Sequence, residues 1–352
     1  MRYLTGLLVA AALTLSAGAQ TLAARNALPQ SASGQQQETE EKQSGYSISV
    51  TVPVVNVDVV VTDNDGNYLT GLKKENFCIL EDGQRQTISN FDTTEAPITT
   101  VMLLEYSKLG SEWFLENAKN WGRAFLRQLK PTDWVALTSF SMRPKVEVDF
   151  THSQPEIEQA LASMIYPGFS EANLFDALGD TLDRLNHVKS RKSILILASG
   201  LDTFSRTNLD EVLDQLRQSD VTVYVVGVAE QFFLAEEMRG GVSSVGRLTY
   251  YQAQSRLRSF AELTGGRAWF PKFEGEIPGI MGDIAARIRS QYSLAYTPTN
   301  KSMDGKYRKI KVELLAVDGS PLTTVVDRNG KKRKVVVYAR QGYLAPKSDL
   351  SD

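Results

Sequence analysis

From residue 99 to residue 288, short apolar runs alternate with stretches of helical periodicity, and few architectures accept that alternation. Residues 99–104 form a continuous apolar run. Phe114, Ala118, Trp121, Phe125 and Leu129 then recur at spacings of three and four, the signature of an amphipathic helix. Pro131-Thr132-Asp133 ends that helix, and residues 134–141 and 146–150 read as the next two strands. Ile157, Ala160, Leu161 and Met164 mark a second helix and residues 174–185 a third. Strands follow at 193–198, 221–228 and 268–270, with helices at 209–216, 257–263 and 277–288. Strands apolar on both faces and separated by helices predict an α/β fold with a doubly wound, mostly parallel sheet.

The flanks carry a different period. Val55, Val57, Val59 and Val61 share one period-two phase, and Ile48, Val50 and Val52 occupy the other, with Pro53 at the change. Asp65-Gly66 and Asp82-Gly83 are hairpin turn signals around a strand at 77–81. After Gln291 the chain returns to β: Leu294 and Tyr296, then Ile310, Val312 and Leu314, then 325–326 and 335–337, with turns at Asp304-Gly305, Asp318-Gly319 and Asn329-Gly330. Neither flank is large enough for a core of its own, so the two are expected to pair into one β-sandwich. Asp63-Asn64-Asp65-Gly66-Asn67 superficially resembles a calcium loop. An EF-hand needs glycine at position six and glutamate at twelve, where this chain has Tyr68 and Lys74, so a solvated turn is the better reading. The basic run at 331–334 borders a turn and reads as a solvated, edge-blunting segment rather than an anionic binding patch.

Arg2, an apolar run over residues 4–15 and small residues at Ala17 and Ala19 read as a secretory signal peptide cleaved after Ala19. A membrane anchor needs about 20 apolar residues. The glutamine- and serine-rich stretch that follows has little to offset the cost of ordering its backbone. The organisation expected is therefore a signal peptide at 1–19, a disordered tether at 20–45, sandwich strands at 46–96, an α/β domain at 97–291, sandwich strands at 292–345 and a tail at 346–352. The mature protein is expected to be exported, periplasmic or secreted, with no transmembrane segment once the signal peptide is removed.

Charge and composition exclude several chemistries. Lysine plus arginine is 39 and aspartate plus glutamate is 41, a net charge of −2 that argues against a nucleic-acid partner. One cysteine, Cys78, excludes an internal disulfide, and its apolar neighbours suggest a buried, inert thiol. With two histidines, His152 and His187, a histidine-rich metal centre is impossible.

Three segments resemble stretches of the von Willebrand factor A family: Leu129-Lys130-Pro131-Thr132-Asp133-Trp134-Val135-Ala136-Leu137, Asn173-Leu174-Phe175-Asp176-Ala177-Leu178 and Ile194-Leu195-Ile196-Leu197-Ala198-Ser199-Gly200. In the flanks, Val57-Asp58-Val59-Val60-Val61, Glu75-Asn76-Phe77, Tyr292-Ser293-Leu294-Ala295-Tyr296 and Arg340-Gln341-Gly342-Tyr343 are similar to its exported bacterial subfamily. The resemblance implies a divalent ion held at the carboxyl ends of the central strands. The family uses D-x-S-x-S after the first strand, a threonine before the third helix and an aspartate after the fourth strand. Those positions fall on Glu105, Ser107, Leu109, Ala172 and Ser199, of which Ser107 alone matches. The implied metal site is thus degenerate and no cofactor is expected, although Glu105, Ser107 and Ser199 leave room for weak magnesium or manganese binding. Asp202, in the same loop as Ser199, is a candidate to compensate, and Asp176 reads as a helix-start charge.

The function expected is an exported, non-enzymatic adhesion-type module for an unidentified protein or peptide. Glu105, Ser107, Asp202, Phe232 and Phe233 are the ligand-binding candidates; the two phenylalanines lie in an aromatic insertion at 229–254 that either anchors a partner or folds back on the core. The alternatives are metal-dependent adhesion through Glu105 and Ser107, a structural part of an envelope assembly, and a hydrolase. A serine nucleophile would need one of the two histidines as its base, and the G-x-S-x-G elbow is missing. No catalytic residue is therefore assigned.

Overall fold

The computed structural model describes residues 54–93, 97–107, 112–165, 168, 170–228, 243–327 and 329–347. The signal-peptide and tether segments and the strand signal at Ile48–Val52 lie outside them. The first described strands are β1 (Val55–Asp63), β2 (Phe77–Glu81), β3 (Gln84–Gln86) and β4 (Ile88–Thr93). The α/β part then runs β5 (Thr99–Glu105), α1 (Glu112–Leu126), β6 (Trp134–Phe140), β7 (Pro144–Thr151), α2 (Gln154–Ser163), α3 (Leu174–Leu185), β8 (Lys192–Ala198), α4 (Leu209–Gln218), β9 (Thr222–Gly227), α5 (Ser244–Leu263), β10 (Arg267–Trp269) and α6 (Ile277–Arg289). The chain closes with β11 (Tyr292–Tyr296), β12 (Tyr307–Leu314), β13 (Thr324–Val326), β14 (Lys332–Ala339) and β15 (Gly342–Leu344).

The central sheet has the order β10-β9-β8-β5-β6-β7 and is parallel except for the antiparallel edge strand β7. Because successive side chains of a strand point to opposite faces, β5 divides its apolar run between two cores. Met102 and Leu104 join α1, α2 and α6 on one side, while Val101 and Leu103 join α3, α4 and α5 on the other. This two-sided cover is the doubly wound α/β architecture expected from the sequence.

The flanks pair across the whole chain. β1 lies between β11 and β14 in a five-stranded antiparallel sheet, β13-β14-β1-β11-β4. A four-stranded sheet, β15-β12-β2-β3, pairs β12 with β2. The two sheets share one core, in which Val55, Val57, Val59 and Val61 meet Phe77, Ile79, Ile310 and Leu314. A buried carboxylate, Glu81, sits in this core and accepts hydrogen bonds from the hydroxyls of Tyr296 (2.7 Å) and Tyr343 (3.0 Å). Glu81 pairs with Gln84, so Asp82-Gly83 forms a two-residue hairpin turn with both residues at positive φ (47° and 83°). In the calcium-like loop, Asp63 Oδ1 accepts from the backbone N–H groups of Asp65 and Asn67, closing a turn. Arg333, within the basic run, is only 18% exposed and pairs with Asp65 and Asp327. Lys331, Lys332 and Lys334 are exposed. Cys78 is buried. Among the described residues no helix is long and apolar enough to cross a membrane.

Arg287 of α6 ties the α/β part to the sandwich. It is 1% exposed, its Nε lies 3.3 Å from Asp283 Oδ2, and its guanidinium stacks 4.6 Å from the Tyr338 ring centroid of β14. Tyr68, which follows β1, donates its hydroxyl to Asp283 as well. A buried guanidinium of this kind is stable only with its partners in place. Arg287→Ala is expected to destabilise the protein by about 3–5 kcal/mol in urea denaturation. Arg287→Lys should recover little of the loss, because an ammonium lacks the planar stacking surface; full recovery by lysine would show that charge alone is needed.

Candidate functional site

In an open α/β sheet the carboxyl ends of the parallel strands gather the loops that bind ligands. Here β5 and β8 are neighbours, and their ends place Glu105 beside Ser199. Glu105 is wholly buried and Ser107 also has no exposed surface; Ser199 is 7% exposed. The Ser199 backbone N–H and hydroxyl both donate to Glu105 Oε2 at 2.7 Å, and the Ser107 hydroxyl donates to Oε1 at 3.1 Å. The Ser199 hydroxyl in turn accepts from the Leu201 N–H at 3.2 Å. Burial pushes the Glu105 carboxyl above its ordinary pKa, against the downward pull of these three donors.

The loop after β8 is stitched to the start of α3. Asp202 Oδ1 accepts from the Phe175 N–H at 3.1 Å and the Ser205 hydroxyl at 2.6 Å, and Ser205 Oγ accepts from the Asp176 N–H at 3.1 Å. These contacts satisfy backbone donors of the first helical turn that have no partner within the helix. Ala172 is buried, and its N–H donates to Thr203 Oγ1 at 2.9 Å. Asp176 accepts from the backbone N–H groups of Arg206 (3.1 Å) and Thr207 (3.0 Å). These donors hold its carboxyl below the usual range despite the opposing effect of its partial burial. Thr203 and Ser205 were not singled out from sequence. Hydroxyl and carboxylate residues spaced along a loop before a helix are a capping signal, but which helix they cap depends on the fold.

Glu105, Ser107, Ser199, Asp202 and Ala172 are therefore in the described top-face region, with Glu105, Ser107 and Ser199 in direct contact. Leu109, Phe232 and Phe233 lie outside the described residues. The later part of the aromatic insertion is helical, within α5, where Tyr250 is 7% and Tyr251 60% exposed. Among the described residues no group of three or more His, Cys, Asp or Glu side chains is arranged to hold a metal ion. His152 lies at the other end of the sheet, with Nδ1 3.0 Å from the Asp133 carbonyl oxygen and its ring against Trp134, and His187 follows the carboxyl end of α3.

Residues 103–255 match the family model of the von Willebrand factor type A domain. The chain contains a von Willebrand factor type A domain. Among solved structures, BatB from Bacteroides thetaiotaomicron is similar at 14% identity and a TM-score of 0.41, over 55% of this chain and 100% of that one. The vWF domain of the type V pili tip protein Mfa5 from Porphyromonas gingivalis is similar at 11% identity and a TM-score of 0.43, over 55% and 96%. Proximal thread matrix protein 1 from the mussel byssus is similar at 9% identity and a TM-score of 0.42; 55% of this chain is covered, but only 48% of the mussel protein. No curated protein sequence matches the chain.

Gly200 shows how tightly the loop after β8 packs against α5. Its φ is +84°, and a Cβ there would lie 2.7 Å from the Ala253 carbonyl oxygen and 2.8 Å from Leu257 of α5. Gly200→Ala is expected to lower stability by at least about 2 kcal/mol in denaturant titration. A neutral result would mean that α5 yields.

Glu105 provides a pH test. A carboxyl with a raised folded-state pKa contributes stability that is fully present below its unfolded pKa and is lost as pH rises through the folded value. The melting temperature of Glu105→Gln relative to the parent should therefore climb between about pH 4 and pH 8. A constant difference across that range would refute the raised pKa.

Proposed function

We propose that this protein is an exported, non-enzymatic protein-interaction module whose type A domain works without a divalent ion. The observation that carries the reading is the Glu105 carboxylate, which accepts hydrogen bonds from the Ser199 N–H, the Ser199 hydroxyl and the Ser107 hydroxyl. An oxygen-ligated magnesium site needs near-octahedral geometry and ligand oxygens free to face the ion. In this chain both Glu105 oxygens accept from protein donors, the two serine hydroxyls point their protons at that carboxylate, and Ala172 contributes no side-chain oxygen. Asp202 caps α3 through the Phe175 N–H. The donor set does not fit a divalent ion, and the extra methylene of glutamate is what lets the carboxylate span to Ser199.

The non-enzymatic part rests on the distance between candidate groups. Ser107 and Ser199 follow the carboxyl ends of β5 and β8, whereas His152 is hydrogen-bonded beside the start of β6, at the far end of a sheet whose central strands are about 20 Å long. A nucleophile and its base must lie within hydrogen-bond reach. The type A domain supports a protein or peptide partner. The positive, apolar and small-residue pattern of residues 1–19 supports export to the periplasm or beyond. The same reading divides the mature chain into sandwich strands at 46–96 and 292–345 around an α/β domain at 97–291.

Titration calorimetry of chelator-stripped protein with magnesium and then manganese tests the ion-free reading. The expected result is no saturable heat and no metal-dependent rise in melting temperature. Saturable binding that disappears in Glu105→Ala would overturn it in favour of metal-dependent adhesion.

A further inference from the structure

Beside the loop after β8, a cavity of about 670 Å³ runs between α3, α4 and the loops that begin at Met142 and Phe204. Its α3 wall carries Asp176, Asp180 and Asp183, at i, i+4 and i+7, and therefore on one helical face. Asp176 is occupied by the backbone donors of Arg206 and Thr207. Asp180 and Asp183 are exposed, and their carboxylates have no hydrogen-bond or ion-pair partner among the described residues. Arg143 and Arg206 also line the cavity, yet neither lies within ion-pair distance of these two carboxylates.

A second observation points to a ligand independently of the acidic face. Asn173 lines the same cavity, is 2% exposed, and its Oδ1 accepts no hydrogen bond. The orientation of the amide is set by its Nδ2, which donates to the Met142 carbonyl oxygen at 3.0 Å. Asn173 occupies the N-cap position of α3 but makes no side-chain cap, because Asp202 and Ser205 take the donors of the first turn. A buried acceptor left unpaired in this way costs stability and calls for a donor. Gln215 of α4 adds another: its Oε1 is buried and unpaired, in the space left by the missing Cβ of Gly179. Phe204, 50% exposed, gives the cavity an apolar rim.

We propose that this groove binds a lysine- or arginine-bearing segment of a partner protein, with the cationic side chain donating to Asn173 and Asp180 or Asp183 and its aliphatic stem against Phe204. The proposal rests on the reading of the chain as a protein-interaction module and names the chemistry of its partner. The unpaired groups of α3 and α4, namely Asn173 Oδ1, Gln215 Oε1 and the Asp180 and Asp183 carboxylates, are hydrogen-bond acceptors, which suits a donor-only ligand, and ammonium and guanidinium groups are donor-only. The two free carboxylates are spread along a helix surface, and no cluster of them is arranged to hold a metal ion; a chain of cations suits that spacing better than one point ion. Partial desolvation and the charges of Asp176 and Asp183 raise the pKa of Asp180, a strain that a bound cation relieves.

The test is fluorescence anisotropy of a labelled pentalysine peptide with the full chain, run in EDTA. Saturable binding is expected, weakening with salt, and pentaglutamate should not bind. Asp180→Asn/Asp183→Asn should weaken pentalysine at least about fivefold, while Glu75→Gln/Glu158→Gln, which removes the same charge outside the groove, should leave it unchanged. Equal binding by the two double variants, or no saturable binding, would overturn the proposal. Displacement by spermidine at the peptide's own concentration would also overturn it, in favour of a small polyamine. Because EDTA is present throughout, metal binding in the calorimetry would sink the ion-free reading and leave the groove result interpretable, and the converse holds.

Discussion

β1 lies between two strands that arrive more than two hundred residues later, and the rest of the molecule hangs on that pairing. Val57 faces Leu294 of β11, and Val61 faces Val337 of β14. An isolated hairpin or a two-stranded ribbon is marginal in water, so neither flank holds a sheet alone. Joined, they bury Val55, Val57, Val59 and Val61 in one core with Tyr292, Leu294 and Tyr296. The pairing also brings together the two ends of the α/β part, where β4 leads to β5 and α6 leads to β11. Arg287 then fixes the junction from the α/β side through Asp283 and Tyr338.

The same logic of buried charge governs the top face. A carboxylate with no exposed surface must find donors or lose its charge. Glu105 finds three, one of them the backbone N–H of Ser199. The loop carrying Ser199 is held by Gly200, whose positive φ and close approach to α5 leave no room for a side chain. It is held again by Asp202, Thr203 and Ser205, which serve the backbone around the start of α3. The loop after β8 is thus bound to the start of α3 and packed against α5. One consequence appears at Asn173, displaced from capping and left with an unpaired oxygen in the neighbouring groove.

Local periodicity made much of the fold legible in the sequence. The apolar runs at 99–104 and 193–198, the period-two phase of Val55 to Val61, and the Asp82-Gly83 turn each express a preference of the chain over a few residues. Glu105, Ser107 and Ser199 were also legible as a set, because their places relative to strand ends follow a family pattern. The beginning of α5 was less so: the stretch before residue 257 is poor in regular apolar spacing, and the helix starts at Ser244 instead. The burial of Arg333 in the basic run was hidden too, since its partner Asp65 belongs to a turn more than 250 residues earlier in the chain.

The sequence by itself determined most of the strand and helix segments, because those follow from residue type and spacing. Tertiary structure alone decided which distant residues meet. Glu105 meets Ser199 across 94 residues because β5 and β8 are neighbours in a crossover topology. Arg287 is buried because β14 returns over α6, and Gln215 lies over Gly179 because α3 and α4 pack side by side. Hydrogen bonds and packing contacts of this range depend on strand order and helix placement, which no local pattern encodes.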